Sequence, residues 1–273
     1  MTSLQQQPVH IPRSQQMTAE YRGRTYRIFI SVPSQSPTAS GYPVIYVLDA
    51  NSVFATMTET IRAQSRAPEK TGVFPAIVVG IGYETEEPFH PNRHYDFTMP
   101  VPRSELPKHP TGGEWPEQGG AAGFLTFIED ELKPAIAAMH PVDPARQSIF
   151  GHSLGGLFVL HAFLTHPGGF QTYIAGSPSI HWNESALLEK ERTLSARLSD
   201  DGGRIGLLIA MGEQERTHKS NAYDKAEAMA ARLSAPNHSR LDVSFKSFAE
   251  EGHISVLPVL ISHAVRFLSK NPR

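Results

Sequence analysis

The chain has 273 residues, enough for one large α/β domain or two small ones, and a 40% hydrophobic content that supports a sizeable core. With 25 basic and 27 acidic residues its formal net charge is −2, which removes the electrostatic case for nucleic acid or an acidic membrane as partner. It has no cysteine, which excludes disulfides, thiolate catalysis and cysteine-based metal sites.

Met1 to Gln16 is polar and Gln-rich and lacks the apolar centre of a signal peptide. Residues 1–18 read as a flexible leader and 19–273 as a single domain, with no apolar run near the ~18 residues of a membrane-spanning helix. The chain as it stands reads as cytoplasmic, or as periplasmic if a signal peptide has been removed from it.

Arg24 to Val32 alternates like a half-buried edge strand. Pro43–Asp49 and Pro75–Gly82 are continuous apolar runs, the pattern of parallel strands covered on both faces. Between them, Ser52 to Arg66 reads as a helix with Asn51 as its cap. Residues 84–120 form a long stretch rich in Pro, Gly and His, the kind of loop that serves an active site. A helix over Ala122–Met139 carries Phe124, Phe127, Ile128 and Leu132 on one stripe. Next come a strand at Ser148–Phe150, a helix at Leu154–Thr165, a strand at Gln171–Ala175 and a helix at Glu184–Leu198. A strand at Arg204–Met211, a helix at Ala222–Leu233, a strand at Leu241–Phe248 and a helix at Val256–Ser269 complete the chain. This alternation predicts an α/β fold with a mostly parallel central sheet and helices on both faces. Its site belongs at the carboxyl ends of the strands.

At that end of the strand Ser148–Phe150 stands Gly151-His152-Ser153-Leu154-Gly155. The pattern Gly-x-Ser-x-Gly between a strand and a helix is the nucleophile elbow, which holds a serine hydroxyl exposed on a strained turn. Its glycines are expected where Cβ atoms would collide with the neighbouring strand and helix. A serine hydroxyl needs a base, and the base an orienting group, in the chain order Ser, acid, His. His253, in the loop after Leu241–Phe248, is the expected base. Gly212-Glu213-Gln214-Glu215, after Arg204–Met211, offers the acid. The spacing Gly-x-x-acid favours Glu215 over Glu213, with solvated loop charges as the alternative for both. His152 reads as packing. The oxyanion needs two N–H donors. One is Leu154, at a helix start whose dipole also favours negative charge. The other comes from Asp49-Ala50-Asn51, where Asn51 is preferred and Ala50 is its alternative.

These segments, with Ser177-Pro178-Ser179-Ile180 and Glu251-Gly252-His253, resemble the esterase D-like serine esterases of the α/β-hydrolase fold. The resemblance is greatest to the siderophore esterases that open the trilactone of enterobactin, salmochelin or bacillibactin. It spans about Tyr21 to Leu268 and includes Arg93-His94-Tyr95-Asp96-Phe97-Thr98 and Gly119-Gly120-Ala121. It implies a serine carboxylic-ester hydrolase acting through an acyl-enzyme on the ester bonds of a cyclic ferri-siderophore. It also implies Arg93 in the substrate cleft and Trp182 on the cleft wall, against an Arg93 paired with Asp96 and a Trp182 that only packs. His181 stands where relatives often carry a second tryptophan, and Ile254 where a small residue is common. The alternatives are an esterase or acyltransferase for acetyl or feruloyl-type esters, and a non-catalytic binding module. No cofactor or catalytic metal is expected, any iron belonging to the small-molecule substrate, and the expected state is a monomer or small homo-oligomer.

Overall fold

Eight strands share one sheet: β1 (Ser14–Tyr21), β2 (Arg24–Ser31), β3 (Tyr42–Leu48), β4 (Ile77–Gly82), β5 (Val142–His152), β6 (Thr172–Gly176), β7 (Ile205–Gly212) and β8 (Leu241–Phe248). The computed structural model describes residues 5–109, 111–198, 203–235 and 240–270. In space the strands run β1-β2-β4-β3-β5-β6-β7-β8. The pairs β1–β2 and β2–β4 are antiparallel, and all later pairs are parallel. The helices are α1 (Ala50–Gln64), α2 (Pro68–Thr71), α3 (Arg93–Phe97), α4 (Ala121–Thr126), α5 (Lys133–Met139), α6 (Leu154–Thr165), α7 (Glu184–Arg192), α8 (Ala222–Ser234) and α9 (Val256–Lys270). A π-helical segment, Phe127–Leu132, joins α4 to α5. None of the described helices is long and apolar enough to cross a membrane.

Helices cover both faces, and the strand alternation sorts the core into two layers. In β3, Ile45 and Val47 pack with α1 and α9, whereas Val44, Tyr46 and Leu48 join the larger layer under α4, α6 and α8. Strands β4, β6 and β7 are buried at every residue, which is why they read as unbroken apolar runs. Helix α6 is buried from Leu154 to Leu164 and fixes the turn before it against the sheet. Each Leu or Phe so buried contributes about 1.5–3 kcal/mol.

Several elements depart from the sequence expectation. Residues 14–18 of the expected leader belong to β1, paired in register from Ser14 with Ser31 to Tyr21 with Arg24. Met1 to Leu4, and Asn271 to Arg273 of the expected domain, lie outside the described residues. Arg22 (φ 49) and Gly23 (φ 75) both take the left-handed backbone of a two-residue hairpin turn. Strand β2 is therefore internal, and β1 is the edge. The stretch 84–120 contains α3 and a 3-10 turn, Arg103–Glu105. Its C-terminal end is tied back to α3 and the residue after it, by Gly120 N–H to Tyr95 O (2.8 Å) and Ala121 N–H to Thr98 O (3.1 Å). Helix α7 stops at Arg192, six residues before the expected Leu198.

Candidate active site

Ser153 joins the end of β5 to the start of α6 with φ 60 and ψ −118, a conformation L-residues rarely hold. The turn is clamped on both sides. Ser153 N–H donates to Gly176 O (2.9 Å), and its carbonyl accepts from Leu157 N–H (3.0 Å) and Ser179 N–H (3.1 Å). A Cβ on Gly151 would run into the Gly155 carbonyl, and one on Gly156 would lie 2.6 Å from Gly176 O. At Gly155 it would only touch Asp49 Oδ2 at 3.4 Å. The crowding expected of the elbow glycines thus sits at Gly151 and Gly156. The residues after the neighbouring strands also hold a positive φ, Asp49 (φ 52) after β3 and Ser177 (φ 38) after β6.

Ser153 Oγ lies 3.0 Å from His253 Nε2, and His253 Nδ1 lies 2.7 Å from Glu215 Oε2. Glu215 sits in the 3-10 turn Glu213–Thr217, which folds its carboxylate back over Gly212. Its Oε1 accepts from Gly212 N–H (2.8 Å) and Ser177 Oγ–H (2.6 Å). Burial pushes this carboxyl up, but the hydrogen bonds from His253, Ser177 and Gly212 outweigh it and hold it below the usual range. It is therefore an anion at neutral pH, and His253 turns Nδ1–H toward it. Glu213 is exposed, and its Oε2 accepts a 3.3 Å bond from Glu250 N–H. Of the two candidate acids, Glu215 is the one that reaches His253. Gln214 stitches the loops after β7 and β8 together, through N–H to Glu251 O (3.0 Å) and Nε2–H to Glu250 O (2.8 Å).

His152 does more than pack. Its Nε2 lies 2.7 Å from the main-chain carbonyl of His253, and its ring centroid 4.8 Å from that of His253. Burial, helped by the nearby His253, pushes its pKa down to about 3, so the ring is neutral and Nε2–H is the donor. Sequence reasoning missed this role, and that of Ser177 on Glu215. The one local signal was the hydroxyl-rich Ser177-Pro178-Ser179 turn beside the elbow.

Leu154 is the first residue of α6, so its N–H has no acceptor within the helix. Asn51 is not the cap of α1: the helix starts at Ala50 and its cap position is Asp49. The Asn51 carboxamide instead ties α1 to the end of β4, accepting from Tyr83 N–H (2.8 Å) and donating to Tyr83 O (3.0 Å) and Thr85 O (2.9 Å). Ala50 and Asn51 occupy the first two helical positions, so both N–H groups lack an intrahelical acceptor. They follow β3, the neighbour of β5.

The structure places Arg93 away from an open cleft. It is buried and bonds Asp49, through Nε to Oδ1 (2.8 Å) and Nη2 to Oδ2 (2.7 Å). Asp96, the partner considered from sequence, accepts instead from Tyr26 (3.1 Å) and Tyr83 (2.9 Å) hydroxyls. Trp182 is buried at the edge of the site and packs edge-on against Trp115 at 4.6 Å. A cavity of about 510 Å³ opens beside His253, lined among others by Ser179, His181, Trp182, Gln214, Thr217 and His218. Its size suits a small molecule. Among the described residues there is no cluster of three or more His, Asp or Glu that could hold a metal ion.

The Esterase family model, described as "Putative esterase", matches residues 19–249. Ferri-bacillibactin esterase BesA of Bacillus subtilis is 56% identical over 251 residues, covering 92% of this chain and 87% of the relative. A siderophore enterobactin esterase of Emericella nidulans is 34% identical over 273 aligned positions, covering 89% of each chain. The crystal structure of BES protein from Bacillus cereus superposes with a TM-score of 0.91 at 41% identity, covering 97% of this chain and 99% of that one.

Proposed function

Because the chain belongs to the Esterase family, we propose that it is a serine esterase that opens the ester bonds of a cyclic ferri-siderophore and so frees the iron. The observation that carries this reading is the hydrogen-bonded line Ser153–His253–Glu215, of which His253 and Glu215 line a cavity of about 510 Å³. The siderophore esterases of Bacillus subtilis and Emericella nidulans support the substrate class. The indole of Trp182 beside the cavity suits a flat catecholate ring.

Glu215 holds the His253 ring with Nδ1–H toward itself, leaving the Nε2 lone pair for the Ser153 hydroxyl. His253 Nε2 takes the proton as Ser153 Oγ attacks the ester carbonyl, and the Glu215 carboxylate stabilises the imidazolium. The N–H of Leu154, with that of Asn51 or Ala50, donates to the oxyanion. The carbon–oxygen bond to the leaving alcohol breaks as Nε2 returns the proton to that oxygen. Water then attacks the acyl carbon, losing a proton to the same nitrogen; the bond from that carbon to Ser153 Oγ breaks as Nε2 returns the proton to Oγ, and the carboxylic acid product leaves. Each round cuts one ester, so a trilactone is first linearised and then shortened.

Ser153→Ala tests the mechanism: it should abolish p-nitrophenyl acetate hydrolysis with an unchanged circular dichroism spectrum, and retained turnover rejects it. Mass spectrometry of a ferric trilactone incubated with the protein tests the substrate. Stepwise linear products are expected, and inertness toward a panel of such lactones rejects the siderophore assignment.

A further inference from the structure

Asp49 holds the cap position of α1 with φ 52 and ψ 44, yet makes no side-chain cap. An aspartate there ordinarily turns its carboxylate onto the N–H groups of the first helical turn. Both oxygens are instead taken by Arg93, at 2.8 and 2.7 Å. The ion pair is buried, with side-chain exposures of 10% for Arg93 and 4% for Asp49. Arg93 comes from a separate element, α3, whose Phe97 packs on Phe158 of α6 at 5.9 Å. Its guanidinium also lies 5.1 Å from the ring of Phe89 and 5.5 Å from that of Phe97. Asp49 Oδ2 borders Gly155, two residues beyond the nucleophile.

We infer that Arg93 is a positioning residue for the oxyanion hole: it grips Asp49 and so keeps a negative charge and a competing acceptor off the first-turn N–H groups of α1. The inference rests on the serine-esterase reading of Ser153 and extends it to a residue that the resemblance would set against the substrate. A released carboxylate would turn onto the Asn51 N–H, one of the two candidate second donors, and repel the oxyanion that forms beside it. The effect falls on every ester, charged or neutral, which separates it from a role in binding an anionic substrate.

The test is Arg93→Met assayed on neutral p-nitrophenyl acetate. The expected result is a fall in kcat of about 100-fold with KM within about twofold, the pattern of a lost transition-state interaction. An aryl trifluoromethyl ketone, which mimics the tetrahedral adduct, should bind more weakly by a similar factor. In the double variant Arg93→Met/Asp49→Gly no charge is left unpaired, and glycine accepts the left-handed backbone at position 49. It should recover at least about tenfold of the lost kcat. Thermal melts show which variants fold; if Arg93→Met does not, the double variant carries the test, and a folded but inactive double variant overturns the inference. Wild-type kcat in a folded Arg93→Met, or equal losses in the single and double variants, also overturns it. Turnover by Ser153→Ala in the same assay would sink the esterase reading itself.

Discussion

His152 donates its Nε2–H to the main-chain carbonyl of His253 at 2.7 Å, so the residue next to the candidate nucleophile holds the loop of its candidate base. His152→Phe keeps an aromatic ring in this buried place and removes the bond. A single hydrogen bond is worth about 1 kcal/mol, so kcat should drop roughly five- to tenfold with KM little changed. Steady-state kinetics on p-nitrophenyl acetate decide it, and an unaltered kcat would return His152 to a packing role.

Glu215 and Glu213 are two residues apart and differ in what they touch. Glu215→Gln removes the anion that orients His253 and should lower kcat by about 10²- to 10⁴-fold. Glu213→Gln, at an exposed carboxylate, should stay within about twofold. Comparable losses in the two variants would contradict the geometry of the 3-10 turn.

Asp96 is buried beneath the Tyr26 and Tyr83 hydroxyls, and burial raises its pKa to about 6. The folded form therefore keeps a proton that the unfolded chain gives up near pH 4. Stability from this group is full below about pH 4 and is lost as pH rises through about 6, by on the order of 3 kcal/mol. Asp96→Asn should flatten that part of the profile. Denaturant melts at pH 4 and pH 7 measure it, and an equal pH slope in both proteins would refute the assignment.

The elbow glycines should respond unequally. Gly156→Ala drives a Cβ to 2.6 Å from Gly176 O and 3.1 Å from Pro178 Cα, both main-chain atoms, and should cost about 1–3 kcal/mol or more together with most activity. Gly155→Ala meets nothing closer than 3.4 Å and should leave the melting temperature within a few degrees. The reverse order of melting temperatures would show that the crowding is misplaced.

Strands β3, β4 and β7 were legible because burial on both faces leaves unbroken apolar runs. Strand β1 was not, since most of its side chains meet water and its place is set by main-chain pairing with β2. The order of Ser153, Glu215 and His253 could be read from which loop follows which strand, and the hydrogen bonds join the same three. Arg93 could not be paired correctly. Its partner Asp49 lies 44 residues away on another element, whereas Asp96 is near in sequence but held by two tyrosines. His152 misled for a similar reason: its acceptor is a main-chain carbonyl 101 residues on, which no local pattern encodes.

Asp49, Ser153 and Ser177 close the adjacent strands β3, β5 and β6, and all three hold a backbone that ordinary residues avoid. Strain of this kind costs of order 1–3 kcal/mol at each position and persists only where the surroundings enforce it. The rest of the sheet therefore acts as a press that keeps one rim out of equilibrium with its own local preferences. For anyone engineering heat resistance into this protein, the rim offers the largest apparent gains and the worst returns: relaxing those turns would harden the molecule while slackening its chemistry. Safer substitutions lie at the opposite rim and along the water-facing edge strand β1.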